Sequence, residues 1–389
     1  MNKNEWKKVK LENCANITMG QSPNSSSYNT NGEGIPFYQG NADFGDLYPK
    51  LRYFCTEPTK IANENDLLLS VRAPIGKINI ATTSCCIGRG LCSITPKENI
   101  IFQKYLYYIL KFKEKEFNSI GTGTTFKAIN KNQICETEFL LPNIEEQKKI
   151  TLILENSEKL LKLKKQQLSE FDKLVKFQFL KIFGDPVTNS KNQKLILLEN
   201  CISKKSDLVD GPFGSSINTK VDYTDTGDIP VIRTKNVDFM TFNPKDLKFI
   251  TKEKYEQIKR SQILPDDIIL TKVGTIGNVC IFPNIFSEGV LSTTGSCRIR
   301  VAAHKINNIF LGYYLLYYKE KLLKIASTGV QPFLNMTHIK NIQVFNIEIE
   351  LQNKFADFVK QVDKSKVELQ KSIDETQLLF DSLMDKYFG

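Results

Sequence analysis

Residues 145–184 read EEQKKITLILENSEKLLKLKKQQLSEFDKLVKFQFLKIFG. The stretch contains no proline and no internal glycine, and Pro142 and Pro186 flank it. Forty residues that are mainly Leu, Ile, Phe, Lys, Gln and Glu predict one continuous α-helix of roughly 60 Å, because a helix rises 1.5 Å per residue. Its apolar residues form a stripe on one side, so another element has to cover them.

The end of the chain supplies a candidate for that cover. Residues 350–389 have the same length and also lack proline and internal glycine. A shift of 205 positions places Gln147 on Gln352 and Phe183-Gly184 on Phe388-Gly389. The repeat predicts a second long helix, and the two apolar stripes favour antiparallel, coiled-coil-like pairing.

The regions that precede the two helices also repeat each other. Both open on LENC, at residues 11–14 and 198–201, and both contain a strand–loop–strand pattern, DLLLSVRAPIGKINI (66–80) and DIILTKVGTIGNVCI (267–281). The predicted fold class is α+β, with two mixed α/β domains joined and spaced by two long antiparallel helices in an internal pseudo-two-fold repeat. The predicted boundaries are 1–143, 144–186, 187–348 and 349–389.

Composition limits the class of protein. The chain has 389 residues, 41% hydrophobic and 25% charged, which is typical of soluble multidomain proteins. Nine scattered cysteines without a CxxC pair, a polar N-terminus and no apolar run of 18 residues predict a reduced, cytoplasmic protein that does not span a membrane. The formal net charge is +10, of which the helices carry +3 and −2. The remaining +9 lies on the globular regions and favours a polyanionic partner.

Motifs for catalysis are missing from the sequence. It has no GxxxxGK[ST] phosphate loop, no HExxH and no GxSxG, and His304 and His338 are isolated. An amino-methyltransferase loop would need Asn/Asp-Pro-Pro-aromatic, but only Asn243-Pro244-Lys245 and Asp185-Pro186-Val187 come near it. Pro265-Asp266 lacks the downstream (Asp/Glu)-x-Lys of a nuclease. We therefore expect no active site, no metal and no cofactor.

The polar and basic loops instead carry side chains suited to reading DNA. Arg and Lys pair with guanine O6/N7, Asn and Gln pair with adenine N6/N7, and Thr contacts a thymine methyl or a phosphate. Each residue alone is equally well a solvated loop residue, but equivalent loops are polar and basic in both halves. The predicted DNA-binding residues are Gln39, Asn41, Arg72, Lys77, Arg89, Thr124, Lys127, Arg233, Lys235, Asn236, Lys272, Arg298, Gln331 and Asn335.

The sequence resembles the specificity (S) subunit of type I restriction–modification systems over essentially its whole length. The likeness rests on residues 6–11, on the two strand–loop–strand segments, on LPNIEEQKKI (141–150) and on its weaker copy IELQNKF (349–355). The resemblance implies two target-recognition domains, each of which reads one half of a bipartite double-stranded DNA target. It also implies that the helices set the spacer and hold two modification (methyltransferase) subunits, which restriction subunits join when present.

Two observations leave alternatives open. The second helix begins without the Pro-x-x-Glu-Glu-Gln of the first and has Ile349-Glu350-Leu351-Gln352 instead, which implies that the two methyltransferase contacts differ. A stand-alone coiled-coil scaffold with protein-binding ends is the alternative from another class, and it would need apolar exposed loops. A fused methyltransferase or nuclease would need the missing motifs, and S-adenosylmethionine binding by this chain alone would revive that reading.

Overall fold

A computed structural model of the chain describes residues 3–122, 127–327 and 331–389. The chain divides into two compact units. Unit 1 is Met1–Gln166 with Lys371–Gly389, and unit 2 is Gln167–Gln370. Because each unit takes a globular region together with parts of both long helices, the domain boundaries drawn from the sequence stay predictions.

Unit 1 combines short strands with short helices ahead of the first long helix. Its strands are β1 (Lys7–Lys10), β2 (Ala15–Met19), β3 (Tyr28–Asn29), β4 (Ile35–Tyr38), β5 (Tyr53–Cys55), β6 (Ile61–Ala62), β7 (Leu67–Ser70), β8 (Ile78–Ile80), β9 (Cys85–Ile87), β10 (Leu91–Pro96) and β11 (Glu138–Leu141). Its helices are α1 (Leu11–Cys14), α2 (Gln103–Phe112), α3 (Glu114–Ile120), α4 (Lys131–Cys135) and the first part of α5 (Ile144–Phe183). The sheet orders are β2–β10–β7–β8, β3–β5–β4–β9–β6 and β1–β11.

Unit 2 repeats this plan. Its strands are β12 (Leu195–Leu197), β13 (Leu208–Asp210), β14 (Ile229–Ile232), β15 (Val237–Asp238), β16 (Thr241–Phe242), β17 (Lys248–Ile250), β18 (Gln262–Ile263), β19 (Ile268–Thr271), β20 (Val279–Ile281), β21 (Gly289–Leu291), β22 (Ser296–Ile299) and β23 (Gln343–Phe345). Its helices are α6 (Lys252–Gln257), α7 (Asn308–Tyr317), α8 (Lys319–Ile325), α9 (Met336–Lys340) and the first part of α10 (Ile349–Phe388).

The sheet orders confirm the predicted duplication. Unit 2 has β13–β22–β19–β20, β17–β14–β21–β18 and β12–β23, which follow the order of the three sheets of unit 1 except that β3 has no counterpart, and it adds the pair β15–β16. In each unit one pair of strands is parallel, β4 with β9 (Phe37 opposite Cys86) and β14 with β21 (Val231 opposite Val290). The parallel pair matters for function because its carboxyl end builds the candidate site of unit 1.

The two long helices are confirmed, each with 40 residues. In unit 2 the Lys366 ammonium lies 2.6 Å from Asp172, and Phe355 packs on Phe179 with ring centroids 5.4 Å apart. Since residue numbers rise along α5 while they fall along α10, the helices are antiparallel. In unit 1 the Lys164 ammonium donates to Ser372 Oγ at 2.7 Å, so polar as well as apolar contacts join the helices.

A buried glutamine in the first turn of each long helix connects the helix to its globular region through hydrogen bonds. The side-chain oxygen of Gln147 accepts the N–H of Phe102, the residue before α2, at 2.7 Å, and its side-chain amide donates to Pro142 O at 2.9 Å. Gln352 repeats the contact, since it accepts the N–H of Asn307, which caps α7, at 2.9 Å. Both glutamines are at most 1% exposed. None of the helices in the described ranges combines the length and apolarity needed to cross a bilayer.

Replacing Gln147 or Gln352 by alanine should lower the free energy of unfolding by about 1–3 kcal/mol, because each change leaves a buried N–H without its acceptor. Chemical unfolding in urea, followed by circular dichroism, measures the effect. The matched control is Gln167→Ala on the exposed side of α5, which should change stability by less than about 0.5 kcal/mol. Equal effects at Gln147 and Gln167 would contradict the structural role of these buried contacts.

Candidate nucleic-acid interface

An open cleft of about 480 Å³ lies at the carboxyl ends of β4 and β9 in unit 1. It brings together four residues predicted from the sequence, Gln39, Asn41, Arg72 and Arg89. The remaining lining residues are Gly40, Ala42, Asp43, Arg52, Tyr53, Ala73, Pro74 and Gly90. The lining includes three arginines and two carboxamides, which are groups that can read base edges directly.

Backbone hydrogen bonds between three segments set the positions of these side chains. The Gly88 N–H donates to Tyr38 O at 2.8 Å, the Gly90 N–H donates to Gln39 O at 3.2 Å, and the Val71 N–H donates to Gly90 O at 2.9 Å. A Cβ at Gly90 would lie 2.5 Å from Gln39 O, so only glycine permits this approach. Arg89 is thereby held between the turn that carries Gln39 and the segment that carries Arg72.

A buried carboxylate organises the other wall of the cleft. Asp43 is 4% exposed, and it accepts the N–H groups of Gln39 at 2.7 Å and Gly40 at 3.3 Å. The same carboxylate pairs with Arg52 at 3.3 Å, and the Arg52 guanidinium lies 5.5 Å from the centre of the Tyr53 ring. The sequence analysis missed Arg52 and Tyr53. The signal available was an arginine followed by an aromatic residue in a lysine-rich chain.

Arg72 and Arg89 are exposed and available for a ligand. Within residues 3–122, 127–327 and 331–389, neither guanidinium has a hydrogen-bond or ion-pair partner, and the side-chain amides of Gln39 and Asn41 have none either. Burial raises the pKa of the phenol of Tyr38, the residue before Gln39, with smaller contributions from Cys85 and Asp43. The cleft therefore presents two guanidinium groups and two carboxamides that have no partner among the described residues.

The other predicted residues of unit 1 lie outside this cleft. Lys77 lines a neighbouring cavity of about 290 Å³ and pairs with Glu114 at 2.7 Å. Lys127 is exposed, and its carbonyl accepts the N–H of Ala73 at 3.3 Å, which places it beside Arg72. Thr124 falls outside the described residues.

In unit 2, three predicted base readers are buried structural residues, and the prediction for them is corrected. Asn236 is fully buried and caps a turn, because its side chain accepts the Arg233 N–H at 3.1 Å and donates to Asn243 O at 2.8 Å. Arg298 is 4% exposed and donates to the carbonyl of Gln262 at 2.6 Å. Desolvation lowers the pKa of the Arg298 guanidinium. These groups have no face left for DNA.

Lys272 is the third corrected residue, and the internal repeat explains its burial. It is 3% exposed and pairs with Asp210 at 3.5 Å. The Lys272 N–H donates to Gly295 O, the same bond that the Val71 N–H makes to Gly90 O. Lys272 of unit 2 is therefore equivalent to the inward-facing Val71 of unit 1. Val273 is equivalent to the outward-facing Arg72. One step along an extended chain reverses the direction of a side chain.

The remaining predicted residues of unit 2 are accessible to different degrees. Arg233 is half-buried and donates to the Asp246 carbonyl, while Lys235 is exposed and pairs with the Asp246 carboxylate at 3.2 Å. The hydrogen bond from Lys235 is the main cause that lowers the pKa of the Asp246 carboxyl. Gln331 and Asn335 are exposed, and the Asn335 side chain caps α9. Both Arg233 and Lys235 thus have intramolecular partners at Asp246, whereas Arg72 and Arg89 have none among the described residues.

Comparison with known proteins identifies relatives of this chain. The family model described as "Type I restriction modification DNA specificity domain" matches residues 3–172 and 202–376. The "Putative type I restriction enzyme MjaX specificity subunit" of Methanocaldococcus jannaschii is 39% identical over 174 residues, which are 44% of this chain and 41% of that relative. The chain thus spans less than half the length of that relative. The MjaIX specificity subunit of the same organism is 25% identical over 345 residues, 84% of this chain and 77% of the relative.

A solved structure shares the fold. The crystal structure of the type I restriction-modification system S subunit from M. genitalium aligns with a TM-score of 0.57 at 17% identity, and it covers 100% of this chain and 98% of that one. The two matched segments of the family model coincide with the two halves of the internal repeat. The chain therefore belongs to the family of type I restriction–modification DNA specificity proteins.

Proposed function

We propose that this protein is the DNA-recognition subunit of a type I restriction–modification complex, and that each globular region reads one half of a bipartite target. The observation that carries the proposal is the unit 1 cleft, where the side chains of Gln39, Asn41, Arg72 and Arg89 converge without partners among the described residues. These groups match the donors and acceptors of base edges in the major groove. The excess of basic residues supplies sequence-independent contacts to phosphates. Arginine and carboxamide side chains at the cleft weigh against a scaffold with apolar, protein-binding loops.

In this proposal the readers are residues 1–143 and 187–348, and the antiparallel helices set the gap between the half-sites. The helices also bind the modification (methyltransferase) subunits, with which restriction subunits associate. Exposed apolar side chains on both helices support protein docking. They are Leu152, Ile153, Leu160, Leu163, Leu174 and Phe177 on α5, and Leu351, Val367, Leu378 and Leu379 on α10. The chain itself carries no catalytic group and needs no cofactor.

The two helix starts support unequal docking of the methyltransferase subunits. The Trp6 indole donates to Glu146 at 3.1 Å, so the Glu-Glu-Gln start of α5 is tied to the N-terminal segment. The equivalent residue of α10 is Leu351, which is 38% exposed. A charged, anchored side chain at one start and an apolar one at the other offer different surfaces to a partner.

Inserting seven residues after Gln166 and seven after Gln370 should lengthen the gap of the target by about three base pairs and leave both half-sites unchanged. Seven residues add about 10 Å to a helix and nearly preserve the phase of its apolar stripe, and base pairs rise 3.4 Å. Both sites lie at the unit boundary of their helix. Sequencing of duplexes selected from a random library by the full-length chain reports the gap and the half-sites together.

The control for that experiment is an insertion into one helix alone. It should disturb helix pairing and reduce selection of a split target instead of lengthening its gap. Altered half-sites, or an unchanged gap in the double insertion, would refute the spacing role. Failure of the unmodified chain to select any sequence would refute DNA recognition itself.

A further inference from the structure

The use of arginine in unit 1 is confined to the cleft. The whole chain has 46 lysines but only seven arginines. Those of unit 1 are Arg52, Arg72 and Arg89, and all three line the cleft. None of the lysines of unit 1 lines it. A surface that only needed positive charge would draw on the abundant lysines, so the cleft requires something that arginine alone provides.

That property is the planar fork of the guanidinium group. A lysine ammonium neutralises a phosphate as a point charge, whereas a guanidinium donates two parallel hydrogen bonds to a pair of acceptors in one plane. In the major groove the O6 and N7 atoms of guanine form such a pair. The neighbouring carboxamides of Gln39 and Asn41 are also groups that read base edges. Together they favour a base over a phosphate as the ligand of Arg72 and Arg89.

The fold does not demand arginine at these positions. Unit 2 repeats the backbone of the cleft, since the Ser292 N–H donates to Ile232 O at 3.0 Å as the Gly88 N–H does to Tyr38 O. In unit 1, Arg89 lies between Gly88 and Gly90, whose carbonyl accepts the Val71 N–H. In unit 2, Thr293 and Thr294 lie between Ser292 and Gly295, whose carbonyl accepts the Lys272 N–H. The position of Arg72 holds Val273. The arginines therefore belong to the ligand preference of unit 1 and not to its architecture.

We infer that the half-site read by unit 1 contains guanine, that Arg72 and Arg89 recognise it through its O6 and N7 atoms, and that unit 2 reads its half-site without arginine at the equivalent positions. The inference rests on the proposed function, because it names the chemistry of one half-site. Arg52 acts as a positioning residue, since Asp43 holds it against the turn that carries Gln39. Valine and threonine in unit 2 suit contact with a thymine methyl.

The test compares the full-length wild-type chain with Arg72→Lys, Arg89→Lys and the double variant, each used to select duplexes from a random library. Lysine keeps the charge and loses the fork. We expect the variants to relax the preference for guanine in one half-site by roughly 10- to 100-fold, the discrimination that one bidentate contact provides. The other half-site should stay unchanged, which also shows that the variant is folded. Arg260→Lys, an exposed arginine of unit 2, is the matched control and should leave the guanine-containing half-site intact.

The possible results separate base recognition by Arg72 and Arg89 from phosphate contact and from the absence of DNA recognition. A half-site that keeps its guanines in the double Lys variant, or a wild-type half-site without guanine, overturns the inference and leaves DNA recognition standing. Equal weakening on all sequences also overturns it, because that is the signature of phosphate contacts. If the wild-type chain selects no sequence, the proposed function itself fails and this inference fails with it.

Discussion

Replacing Phe179 by alanine should lower the free energy of unfolding by about 3–5 kcal/mol, the usual result of removing a buried aromatic ring. Phe179 is fully buried, and its ring centroid lies 5.0 Å from that of Phe183, 5.1 Å from Tyr317, 5.4 Å from Phe355 and 5.9 Å from Phe310. These rings come from α5, α7 and α10, so the cluster fastens both long helices to the globular part of unit 2. Its loss removes dispersion contacts and leaves a cavity that rigid helices cannot close.

The same helix offers a control for this experiment. Phe177 lies two positions earlier and is 62% exposed. Phe177→Ala should change the free energy of unfolding by less than about 0.5 kcal/mol. Urea unfolding followed by far-ultraviolet circular dichroism gives both values. Similar losses for the two variants would mean that the ring cluster contributes little to stability.

Replacing Asp210 by alanine should also cost about 3–5 kcal/mol, because it leaves Lys272 buried without a counter-charge. The side chain of Lys272 is 4% exposed and its ammonium lies 3.5 Å from Asp210. Asp210 also pairs with Arg260 at 3.3 Å, but the Arg260 side chain is 70% exposed, so that contact adds at most about 1 kcal/mol. The urea midpoint of Asp210→Ala should fall accordingly.

The internal repeat provides the compensating variant. In unit 1 the positions of Asp210 and Lys272 are held by Met19 and Val71, as the strand registers and backbone bonds show. The double change Asp210→Met with Lys272→Val should therefore recover the stability lost in the single variant, and it should equal or exceed the wild type, as apolar replacements of buried ion pairs often do. If the double variant stays as unstable as the single one, the loss comes from packing around residue 210 and not from the unpaired lysine.

Much of the fold follows from patterns that are local in the sequence. The two long helices begin and end within one residue of the predicted helical stretches 145–184 and 350–389, because each is a long run of helix-forming residues bounded by proline, glycine or a strand. The duplication is visible because the LENC segments and the strand–loop–strand segments recur in the same order. Both the helical period of apolar residues and the order of the repeated segments can be read without knowing which distant residues are in contact.

The site was only partly visible in that way. Arg72 and Arg89 were found because they are basic residues in the loops that follow apolar strands, and the structure places both in one cleft. Arg52 was missed because its link to the cleft runs through Asp43, a contact between loops that sequence patterns do not encode. Asn236 was overvalued because a polar residue in a loop looks exposed until its partners are known. Arg298 was overvalued because it was assigned to a loop, whereas it lies in the buried strand β22.

The sequence by itself determined the helices, their pairing partner and the repeat, since these depend on the period of apolar residues along the chain. Tertiary structure alone decided which basic residues face outward. Arg72 and Lys272 sit one position apart in otherwise matching segments, and because side chains alternate along an extended chain, one is exposed and the other is buried against Asp210. The direction of a side chain depends on strand register and on the neighbours across the sheet, which only the folded chain brings together.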